Sequence, residues 1–134
     1  RGLPYRTITA LEVLGTTAAV AVFGPRALQG SPARGKVMMA GMTDSQAGSS
    51  STAKGTSSCF PLCLVQMELS VQLERYEALL ENEWVPRTMN EESDAISNLD
   101  FRGFSPDLRW AESGGDVGFI VLPALQAAAT DFYA

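Results

Sequence analysis

Two short stretches of this 134-residue sequence are spelled like reaction sites. GSSSTAKGT, residues 48–56, has the outline of a phosphate-binding loop, in which Gly-rich backbone cradles phosphates and a Lys reaches them. STAK, residues 51–54, matches the Ser-x-x-Lys of serine acyl enzymes, which pairs a nucleophilic hydroxyl with an amine. Neither is complete. Ala53 stands where the loop needs its second Gly, Gly55 replaces the Ser/Thr after the Lys, and the companion motifs of the acyl enzymes are missing. Such patterns arise freely in a Ser-rich tract, and neither is expected to act.

The residue types narrow the chemistry further. The chain has no histidine, which removes the commonest general base and the commonest metal ligand. Ser-His-Asp triads, Cys-His pairs and most zinc sites are therefore excluded. Cys59 and Cys63 are too few for a structural zinc site. One helical turn apart they are poorly placed for a disulfide, so two free, buried thiols are expected. The acids after residue 43 admit a carboxylate pair of the glycosidase kind, but no spacing singles one out. Glu68 is the acid to watch, because it lies between two apolar stripes, and a raised pKa there would point to acid chemistry. No catalytic, metal or cofactor residues are expected, and an acid-dependent enzyme is kept only as an alternative.

The element around Glu68 decides how these residues are held. From Val65 to Glu74 apolar and polar residues alternate, as on a half-buried strand. Leu62, Val65, Leu69, Leu73, Tyr76, Leu80 and Trp84 also recur by threes and fours, as on a helix. Propensity favours the helix: Leu, Met, Gln, Glu and Arg dominate, no Gly or Pro interrupts, and Val85-Pro86 supplies a stop. A helix over 62–84 is predicted. Phe60, Leu64, Met67 and Val71 form a second stripe on its first half, so that half must be covered on two sides.

The remaining chain divides by composition into parts of one domain. Residues 1–43 hold five basic residues and one acidic, a net +4, whereas residues 44–134 hold five and fourteen, a net −9. The apolar run at 7–24 is near the lower length limit for a bilayer span, and small residues there suit close helix contact. Glu12 and four threonines weaken a spanning reading, and a buried helix or a strand pair broken at Gly15 is the alternative. Residues 25–43 are acid-free, like organelle transit segments, or a surface loop followed by a short strand, KVMMAGM. Residues 44–58 read as a Ser-rich linker that needs a neighbour to hold it. Residues 59–134 read as an acidic helical part. Within it, 86–118 is a long interface loop carrying Phe101, Phe104 and Trp110, with short helices over NEESDAIS and over SPDLRWAESGG. A C-terminal docking helix is predicted over about 123–133, with Leu125, Ala128, Ala129 and Phe132 on one stripe.

The expected fold is mainly α with long irregular loops: a two-sided central helix, a C-terminal helix and an N-terminal apolar helix over 7–24. A β-rich sandwich is the alternative. The expected function is that of a non-catalytic accessory or structural subunit of a larger multi-protein assembly. Its partners are other protein subunits, met through Phe60, Leu64, Met67, Val71, Phe101, Phe104 and Trp110, with membrane contact through 7–24. The composition leans toward an organellar, thylakoid-type membrane complex. Pigment contact is expected only through that larger complex, where a chlorophyll magnesium near this chain would need a backbone carbonyl or water as ligand. A net charge of −5 argues against nucleic acid as a partner. A self-assembling coat or shell is the alternative attached to the β-rich fold. Arg1 at the first position is expected from a processing site or from within a longer precursor.

Overall fold

The computed structural model of the chain describes residues 4–28, 36–108 and 117–133. It is mainly α-helical, with a small two-stranded sheet and irregular connections. Helix α1, Pro4–Leu28, runs through Gly15 without a break. Its inward stripe is Ala10, Val13, Thr17, Val20, Ala21 and Gly24, all buried, at the spacing that repeats along one helix face. Thr17 accepts full burial because its hydroxyl donates to the Val13 carbonyl at 2.8 Å. The opposite side leaves Ile8, Leu11 and Phe23 exposed. Thr7–Gly24 is long and apolar enough to cross a membrane by length and composition, and 33% of it is buried within this chain.

The Ser-rich tract expected as a linker is instead helix α2, Gln46–Lys54. Intrinsic preference for helix is modest in such a sequence, and side-chain contacts hold it. Ser45 caps the start, its hydroxyl accepting from the Gly48 N–H at 2.9 Å and donating to the Glu12 carboxylate on α1. Glu12, the acid that weakened a spanning reading of α1, thus ties α1 to α2.

The central helix is α3, Leu62–Arg75, and it stops nine residues before the predicted end at Trp84. Tyr76 and Glu77 tighten the last turn, and Glu77 takes a left-handed φ of 49°. Ala78–Trp84 then forms strand β2 instead, parallel to strand β1, Val37–Thr43. Leu80 and Trp84 misled the periodicity because a step of four residues keeps one face on a helix and on a strand alike. The register runs from Val37↔Ala78 to Thr43↔Trp84, and the crossover passes through α2 and α3. Of the segments read as possible strands, KVMMAGM forms one, whereas 7–24 and 65–74 are helical.

The core sits between α1 and α3, where Ala10, Val13 and Val20 meet Val65 and Leu69, with Leu14, Met39, Leu62, Leu73, Tyr76 and Leu80 around them. Gly24 is the tightest point of this packing. A Cβ there would lie against the Tyr76 ring, 2.9 Å from Cγ and Cε2. Gly24→Ala is therefore expected to cost about 1–3 kcal/mol by forcing the ring aside, against a small gain in helix propensity. A lowered urea midpoint with an unchanged slope is the expected measurement.

Past the sheet, helix α4 spans Glu91–Ser97, where NEESDAIS predicted one. Of the SPDLRWAESGG helix, a single 3-10 turn at Pro106–Leu108 is seen, and the rest lies outside the described residues. Helix α5, Val121–Tyr133, begins two residues before the predicted Pro123. It meets α3 through Val121 and Leu122, which are partly buried, while Leu125, Ala128, Ala129 and Phe132 are exposed.

Candidate functional site

The fold covers the first stripe of α3 and the polar edges beside it, and leaves Phe60 and Met67 of the second stripe exposed. Val65 and Leu69 of the first stripe are buried against α1. Between the two apolar stripes, Gln66, Glu68 and Gln72 are buried as well. Gln66 is covered by α2, and Glu68 and Gln72 by the segment that leads into α5, contacts that the sequence pattern does not signal. Gln66 donates through Nε2 to the Ser51 carbonyl of α2 at 2.9 Å.

Glu68 is 0% exposed, and its carboxylate closes the start of α5. Oε1 accepts from the Ile120 N–H at 2.9 Å, and Oε2 accepts from those of Val121 at 2.6 Å and Leu122 at 2.8 Å. These are amides that a helix leaves without partners in its own ladder, at the end where its dipole favours negative charge. Gln72 Nε2 adds a fourth donor at 2.9 Å and bonds the Gly118 carbonyl at the same distance. Gly118 takes a left-handed φ of 76°, which turns the chain into α5. Burial pushes the Glu68 carboxyl up, but the donors from Ile120, Gln72, Leu122 and Val121 outweigh it and hold the group below its ordinary value of 4.5. The raised pKa that would have pointed to acid chemistry is not found. This carboxylate is saturated with donors, and its geometry fits a fixed negative cap.

The second stripe lies on the outer side of α3. Phe60 is 71% exposed and Met67 50%, while Leu64 and Val71 are partly buried. Met67 and Val71 line an open groove of about 360 Å³ together with Cys63, Gln66, Ser70 and Val121. Phe104 borders a separate cleft with Glu91, Glu92 and Ala95 of α4, and Phe101 is about half exposed. Beside them Arg102 grips Asp100 through two hydrogen bonds of 2.7 and 2.8 Å, which hold the Asp100 carboxyl below its ordinary range. Met67 and Val71 of the stripe and Phe104 of the loop thus border different clefts. Trp110 lies outside the described residues.

The reaction-site look-alikes resolve into helix. Gly48 through Lys54 lie within α2, so their N–H groups serve the helix and its cap instead of forming a cradle. The Ser51 carbonyl accepts from Gln66 and from the Gly55 N–H, and Lys54 is exposed. Cys59 and Cys63 are free, but Cys59 is exposed because it precedes α3 and lies off its packed face, a correction to the expected buried pair. Among the described residues no cluster of three or more His, Cys, Asp or Glu is placed to hold a metal ion. Comparison with protein-family models, with curated proteins and with solved structures finds no match to this chain.

Proposed function

We propose that the chain is a non-catalytic accessory or structural subunit of a larger multi-protein assembly, seated at an organellar membrane of the thylakoid type. The observation that carries this reading is the second stripe of α3, where Phe60 and Met67 are exposed. Large apolar side chains contribute about 1.5–3 kcal/mol each when buried, and in the isolated chain Phe60 forgoes most of that and Met67 about half. A neighbouring subunit laid on this stripe recovers it. The exposed Phe101 adds an anchor of the residue type that dominates interfaces. The uncovered side of α1, with Ile8, Leu11 and Phe23, supports the membrane contact, since it is an apolar surface on a helix of spanning length. Any pigment is met through the larger complex.

Fractionation of source cells, alkaline carbonate extraction and native-gel sizing test this reading. The chain is expected in the membrane fraction and in a band far above its own 14.3 kDa. Release as a free monomer would overturn it.

A further inference from the structure

The two-stranded sheet has one face with nothing on it among the described residues. Parallel strands usually carry helices on both faces, because the crossover connection covers one and another element covers the other. Here α1, α2 and α3 all pack on the side of Val37, Met39 and Leu80. On the opposite side Met38, Ala40 and Met42 alternate outward from β1, and Leu79, Glu81 and Glu83 from β2. The register sets them in rows: Met38 beside Leu79, Ala40 beside Glu81, Met42 beside Glu83. The face is therefore two parallel lanes, one apolar along β1 and one largely acidic along β2. At the carboxyl ends of the strands Met42, 70% exposed, and Met89, 72% exposed, line a cleft of about 460 Å³ that also includes Glu91 and Glu92. None of these four glutamates makes an ion pair among the described residues.

From this face we infer a docking surface, separate from the α3 stripe, for a basic amphipathic helix of a partner protein. Charge selects the partner: four carboxylates without an ion pair among the described residues, set beside methionines, repel an acidic helix and an anionic lipid surface and attract Lys or Arg. Spacing selects the helix. Alternate residues on a strand are roughly 6.6 Å apart, and residues i and i+4 on a helix are about 6 Å apart. A helix lying along the strands can thus place apolar residues over Met38, Ala40 and Met42 and basic ones over Glu81 and Glu83. Methionine suits the apolar lane, since its unbranched thioether adapts to partners of different shape.

The test titrates a fluorescent helical peptide of about 14 residues, roughly 21 Å long, with a Leu face and a Lys face, into the full chain. Its comparators are the same peptide with Glu for Lys and a scrambled Lys/Leu peptide. The Lys amphipath is expected to bind at least about tenfold more tightly than either, in line with the 1.4 kcal/mol that a tenfold change represents. Glu81→Lys with Glu83→Lys, and separately Met38→Gln with Met42→Gln, should each remove that preference. Met67→Glu with Val71→Glu should leave it intact, which keeps this surface distinct from the α3 stripe. Equal binding of the three peptides by the native chain would overturn the inference without relying on any variant's folding. A homodimer that Met38→Gln with Met42→Gln dissociates would overturn it in favour of a second copy as occupant.

Discussion

Replacing Glu68 with Gln is expected to destabilise the chain by about 3 kcal/mol, or roughly 10 °C in melting temperature for a domain of this size. The substitution keeps the shape and removes the charge. One oxygen is lost as an acceptor, and an amide NH2 is turned toward backbone N–H groups that have no other partner at the head of α5. Buried hydrogen bonds to charged groups contribute about 1.5–3 kcal/mol each, and orphaned donors cost a similar amount, so part of this loss is cooperative rather than additive. Calorimetry measures the shift, and increased amide exchange at Val121 and Leu122 localises it.

The same site fixes a pH dependence. The folded chain holds the Glu68 carboxylate below its ordinary 4.5, so the charged form is favoured more in the folded state than in the unfolded one. That contribution is complete above pH 4.5 and lost as pH falls through the lower folded pKa. The stability gap between the native chain and Glu68→Gln should therefore be widest near neutrality and narrow under acid. A gap that stays constant down to acid pH would contradict this assignment.

Much of the helical framework was written locally. The apolar run of α1, the 3–4 spacing in the first half of α3 and the segment NEESDAIS of α4 signalled their elements within a turn or two of chain. What escaped sequence reading depends on distant partners. The end of α3 is set by pairing of Ala78–Trp84 with β1, 41 residues away, and the 3–4 pattern ran on past it only by coincidence of spacing. Helix α2 is held by Glu12, Gln66 and Asn82, with the Ser49 hydroxyl donating to the Asn82 carbonyl at 2.8 Å. Glu68 looked like a candidate acid because three of its four donors lie more than 50 residues on, and Gln72 alone shares its helix. The candidate interface was legible as a stripe, and its exposure needed the fold.

Met67→Glu with Val71→Glu is expected to have the larger effect on assembly and a small one on the chain itself. Met67 is half exposed and Val71 partly so, at the edge of an open groove. A glutamate at either site can extend into water in the isolated chain. Beneath a partner the same carboxylates would be desolvated without counter-charge, at a cost of several kcal/mol each. Since about 1.4 kcal/mol is a factor of ten, the pair should weaken association by more than about a thousandfold. Val65→Glu on the opposite stripe is the contrasting substitution. Val65 is buried against α1, so that change should unfold the chain rather than release it.

Native-gel sizing of the Met67→Glu, Val71→Glu chain beside the native chain, with circular dichroism of both, tests the assembly claim most directly. The expected result is a native chain in a high-mass band and a variant that runs as a folded, soluble monomer near 14.3 kDa with an unchanged helical spectrum. An unfolded or aggregated variant would place the stripe in the chain's own core, and a variant that stays in the high-mass band would show that assembly does not use it. Either result contradicts the account.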